Sequence, residues 1–129
     1  MTAREAVEAF RDASRVPISE DTLAAWINEL EGNIYYYIIR THEGGEEAVL
    51  PNITLSSGYD DTLFAPEPFS KVYSDYLALK RDLSYGDIKK YNISSEMFSA
   101  SYGDFADWYN RTHPPIRKAD FLKTNGGLE

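Results

Sequence analysis

The chain has 129 residues, a net charge of −8 and no cysteine. That length supports one hydrophobic core and not two. The missing cysteines exclude disulfides, thiolate metal sites and cysteine nucleophiles, and no apolar run approaches the roughly 20 residues that span a bilayer.

The first segment, Thr2 to about Ser14, reads as an amphipathic helix. Thr2 and Glu5 fit a capping box, and Val7 and Phe10, with Ala3 and Ala13, share a face. Acids stand where a signal peptide would carry its apolar stretch, so no export is expected. Pro17 breaks the pattern, after which Ser19 and Asp21 are both N-cap candidates for a second helix. Its apolar positions Leu23, Ile27, Leu30, Ile34 and Ile38 step by fours and threes, with Trp26 and Tyr35 to Tyr37 around the rest of the cylinder. Such a helix is central in its domain or sandwiched between subunits. Gly32 inside it predicts a kink or a close neighbour.

The segment 42–68 differs in kind. Turn-forming Glu43 to Glu47 and Ser56 to Asp61 bracket β-favouring Val49 to Leu55, which predicts a long loop or a small β-hairpin. A loop of that length is usually functional or disordered. Leu50, Ile53, Leu55 and Phe64 could pack on a neighbour or fold back on their own core, and the sequence leaves both open.

Pro66 and Pro68 introduce a third helix carrying Phe69, Val72, Tyr73, Tyr76 and Leu77. The short connection Leu83 to Asp87 makes the third and fourth helices antiparallel neighbours. The fourth repeats large side chains in steps of three and four: Ile88, Tyr91, Ser95, Phe98, Tyr102, Phe105 and Tyr109. This aromatic seam predicts a long helix that ends at Pro114-Pro115. The sum is a mainly α, four-helix arrangement in a single domain, 1–129, with a mobile tail over 116–129. Eighteen aromatic residues, ten of them tyrosine, are more than its centre needs, and point to contact surfaces.

Recognisable chemistry is missing. His42 and His113 lie in different connections and in no H-x-x-x-H pattern, so no metal and no cofactor are expected, and each reads as a helix-end residue. Neither a nucleophile elbow nor a phosphate-binding glycine loop occurs, and no carboxylate pair stands out among twenty-one acids. An enzyme is therefore not expected. From Ser19 to Asp75 eleven acids oppose only Arg40 and Lys71, a balance of −9. That disfavours a grip on nucleic-acid phosphates and suits a surface that DNA passes without sticking.

Two stretches, DTLAAWINELEGNIY over 21–35 and MFSASYGDFADWYNRTH over 97–113, resemble the head-to-tail connector, or head-completion, proteins encoded near the capsid gene in tailed phages and prophages of Gram-positive bacteria. The likeness spans roughly Thr22 to Pro115, with the acidic middle as its weakest part. It implies a mostly helical subunit that forms a homo-oligomeric ring, joins the portal to tail-completion proteins, and lets DNA pass without sequence-specific binding. It also implies residence in the bacterial host cytoplasm during assembly and then in the virion, with no membrane association and no active site to carry over.

A ring built head to tail needs two different complementary patches on each subunit. Trp108, Tyr109 and Arg111, of types that anchor interfaces, are the expected residues of one patch, and Leu50, Ile53 and Leu55 of the other. The competing reading is a non-enzymatic regulatory module that binds one protein partner through the same aromatic helix.

Overall fold

The computed structural model describes residues 1–15 and 17–116. The fold is mainly α: α1 (Ala3–Ser14), α2 (Glu20–Ile34), α3 (Lys71–Ser84) and α4 (Ile88–Thr112). Apart from Ile116, the tail expected over 116–129 lies outside the described residues.

Helix starts follow local side-chain chemistry. Thr2 closes the capping box with Glu5 in both directions, at 3.2 and 2.9 Å. Ser19, not Asp21, caps α2 by accepting the Thr22 N–H, and Asp87 caps α4 by accepting that of Lys90. Each cap satisfies a donor that the first turn would otherwise leave orphaned. On α1 the buried face is Ala3, Ala6, Val7 and Phe10; Ala13, expected on that face, is exposed, and the part-buried Ser14 lies against the end of α3 instead.

The irregularity expected near Gly32 falls one turn later. A Cβ at Gly32 would meet nothing within 4 Å, whereas Tyr35–Ile39 winds as a π-helical turn closed by the Arg40 N–H on the Tyr35 carbonyl at 3.0 Å. Within this turn Ile38 and Ile39 are both buried.

Helices α3 and α4 are antiparallel. Asp82 pairs with Ser94, Tyr76 meets Phe98 at 5.2 Å between ring centroids, and Phe69 meets Phe105 at 6.3 Å. Burial along the α4 seam is graded: Phe105 and Tyr109 are covered, Phe98 and Tyr102 are half-covered, and Ile88 is exposed. The polar end of the hairpin is tied by Asp82, itself buried, which accepts from Ser94 and from the Arg81 guanidinium at 2.9 Å. Burial alone would raise the Asp82 pKa, but these two donors hold it below the ordinary range.

The segment between the π turn and α3 is a loop that makes three isolated bridges, Thr54 to Ser57 within itself, Thr62 to Thr2 and His42 to Pro115, and among the described residues there is no strand. Its backbone is satisfied by the helices. The Ile53 N–H donates to Asn28 Oδ1 at 2.8 Å, the Phe64 N–H to Glu31 Oε2 at 2.7 Å and the Ala65 N–H to the Tyr73 hydroxyl at 2.9 Å. Leu63 donates to the Met1 carbonyl, and Arg4 to the Tyr59 carbonyl, both at 2.9 Å. The loop can turn this tightly because Gly45 carries no Cβ, which would stand 1.9 Å from the Ile39 carbonyl oxygen.

Glu31 is the centre of this stitching. It is 2% exposed, and its other oxygen accepts the Tyr73 hydroxyl at 2.7 Å. Burial outweighs the two donors and pushes its pKa from 4.5 up to about 7. The folded chain therefore holds a proton that the unfolded chain releases, so stability falls as pH rises from about 4.5 to about 7 and is level above. The step is on the order of 3 kcal/mol. In Glu31→Gln, thermal unfolding followed by circular dichroism across that window is expected to lack it.

Candidate interaction surface

One side of the bundle carries a groove of about 500 Å³ between α2 and the α3–α4 pair. Leu30 lies at its buried base, and Tyr37, Tyr76, Phe98 and Tyr102 wall it. Helical spacing explains the convergence: Leu30, Asn33 and Tyr37 recur by threes and fours on one side of α2 and the π turn, and Phe98 and Tyr102 do so on α4. The rings are held by their tips, the Tyr102 hydroxyl donating to Asn33 Oδ1 at 2.7 Å and the Tyr76 hydroxyl to Glu29 Oε2 at 3.0 Å. Burial first, then the Glu29 carboxylate, raise the Tyr76 pKa, so its proton stays at neutral pH. Lys80 neutralises Glu29 at 3.2 Å. The result is a preformed, charge-balanced aromatic cleft that can take apolar side chains.

A second cleft, of about 280 Å³, runs beneath the loop and is lined by Glu31, Asp61, Ile53, Leu63 and Phe64, with Val49, Leu50 and Pro51 along one edge. Both Glu31 oxygens are already taken by the fold. Neither cleft contains a histidine. His42 and His113 instead flank Tyr109, the first edge-on at 5.6 Å and the second stacked at 3.9 Å. His42 Nδ1 lies 2.6 Å from the Ile38 carbonyl and His113 Nδ1 3.2 Å from that of Tyr109, both at helix ends. Among the described residues no group of three His, Asp or Glu side chains could hold a metal ion, and no helix is long and apolar enough to cross a membrane.

The six residues expected at subunit contacts are divided. Trp108 stacks on Phe69 at 4.9 Å and is half-buried, while Tyr109 is buried between the two histidines. Together they seal the end of the bundle where Glu43 donates to the Pro114 carbonyl and Ile116 to that of Thr41. Arg111 is exposed. Ile53 belongs to the core at 6% exposure and Leu55 packs against it, whereas Leu50 is 45% exposed and its neighbour Val49 80%. The loop thus turns one set of apolar residues inward and the pair at its apex outward.

The groove itself was only half visible in the sequence. Phe98 and Tyr102 stand in the α4 seam, but nothing local signals that Tyr37 and Tyr76 join them. No protein-family model, curated protein or solved structure matches the chain.

Replacing Ile53 with aspartate is expected to lower stability by about 3–5 kcal/mol, since an unpaired charge would enter the core. Leu50→Asp is expected to stay within about 0.5 kcal/mol of the parent. Urea unfolding of the two variants side by side checks the inward and outward assignments.

Proposed function

We propose that the chain is a structural subunit of the connector type, which assembles into a ring between phage head and tail and leaves a passage for DNA. The observation that carries this reading is the aromatic groove: four rings from three elements converge on a cleft that their own fold leaves open. A preformed cleft walled by aromatic rings suits the apolar side chains of a partner. The two stretches that resemble head-completion proteins supply the identity of the assembly.

The charge pattern supports the passage. Glu43, Glu46, Glu47, Asp60, Asp61 and Glu67 are all exposed, so the loop presents a strongly acidic surface. Turned toward the bore, it would repel phosphates and let a duplex slide. A regulatory module with one partner would use the same groove but remain a monomer.

Light scattering and electron microscopy of the purified protein, alone and with a candidate portal protein, test the reading. Closed oligomers are expected in at least one of the two samples, with no salt-sensitive retention of DNA. A monomer in both samples overturns the ring, and DNA binding that weakens steeply with salt overturns the sliding surface.

A further inference from the structure

Helix α4 has a second face. Ile93, Met97 and Ala100 recur by threes and fours on its outer side, about 120° around the axis from the buried Ser94, Phe105 and Tyr109. All three are exposed, Ile93 at 61% and Met97 at 47%. The stripe is charged at both ends, since Lys89 and Lys90 precede it and Asp104 and Asp107 follow it, all four exposed. Among the described residues none of the four forms an ion pair. Lys90 borders a recess with Asp82 and Asp87, but Asp82 is engaged by Arg81 and Ser94, and Asp87 accepts the Lys90 N–H as the helix cap. Two cations in the first turn oppose the dipole of their own helix, so the placement does not serve α4 alone.

We propose that this face is a contact with a second copy of the chain, in which two α4 helices pack antiparallel about a two-fold axis at Met97. The order of signs selects both the occupant and its direction. Met97 lies midway between Lys90 and Asp104, seven residues from each, so in antiparallel register each Lys90 faces Asp104 of the other copy. Lys89 and Asp107, eight and ten residues out, fall opposite each other to within two residues, and Ile93 meets Ala100, large against small. A pattern that is its own complement under a two-fold rotation is what an isologous contact requires. Parallel, in-register packing would set lysine against lysine and aspartate against aspartate, and a peptide of one sign would satisfy only one end of the stripe.

The parts divide their roles by exposure. Ion pairs at such a rim add little affinity but fix direction, and the flexible, unbranched Met97 can fill the axis where it meets its own copy. Glu96 stands about 60° to one side of the stripe and stays in water. The groove is walled by Phe98 and Tyr102 on another side of α4, so this contact leaves it open and does not depend on the connector reading.

Sedimentation of the purified chain is expected to show a dimer that dissociates on dilution, and more readily as salt rises. Reversing one end, by Lys89→Glu with Lys90→Glu or by Asp104→Lys with Asp107→Lys, is expected to weaken the dimer at least tenfold with unchanged helical circular dichroism. The two double variants, once mixed, are expected to pair with each other, and all four substitutions in one chain to restore the parent's association. Because the chain has no cysteine, Met97→Cys marks the axis: oxidation is expected to join it to itself, while Ile88→Cys, exposed but off the stripe, stays uncross-linked. A parent that remains monomeric up to millimolar concentration, or a dimer indifferent to the charge reversals, overturns the proposal. A dimer that never closes into a ring keeps this contact and overturns only the connector reading, whereas a ring whose Met97→Cys form stays uncross-linked keeps that reading and overturns this contact.

Discussion

A carboxyl group with two oxygens, each taken by a donor from a different element, holds this structure together. Glu31 receives the Phe64 N–H from the loop and the Tyr73 hydroxyl from α3, and Tyr73 in turn receives the Ala65 N–H. A buried acid is tolerated only where its lone pairs are met, so the position of Glu31 dictates where the loop must run. Without it, about thirty residues of irregular chain would have no reason to prefer one path over the helices. With it, the segment is an arm of fixed shape.

The arm divides the labour between cohesion and contact. Ile53, Tyr59, Leu63 and Ala65 complete the core that α1 and α2 begin, and the apex residues that this commitment pushes outward are left to other work. The α3–α4 hairpin shows the same division. Its Phe105 end is sealed by Phe69 and Trp108, whereas its Phe98 end is left as the wall of a cleft. Both uncovered regions are apolar and lack free charge, so desolvating them is cheap.

Much of this was legible from local sequence. The capping box at Thr2, the step pattern of α4 and its stop before Pro114-Pro115 are written in adjacent residues, and the structure follows them. The π turn was hidden, since Tyr35-Tyr36-Tyr37-Ile38-Ile39 fits a helical period as well as any other. Glu31 was hidden for a different reason. It reads as one more acid on a polar face, and its partner Tyr73 lies 42 residues away. The direction of the loop was equally undetermined: alternating apolar residues cannot say which will be claimed by the core until the tethers at Asn28 and Glu31 fix the register.

The stitching of the chain's beginning onto its middle bears on how the molecule comes together. Arg4 reaches Asp60 at 2.7 Å across 56 positions, Thr2 bridges Thr62, and His42 bridges Pro115. Contacts this distant in sequence add long-range pairings that a simple up-and-down bundle lacks. The α3–α4 hairpin needs only a three-residue link and can form early, whereas the loop must wait for a platform built from both ends of the chain. This small helical fold is therefore expected to reach its native state more slowly than an up-and-down bundle of the same length.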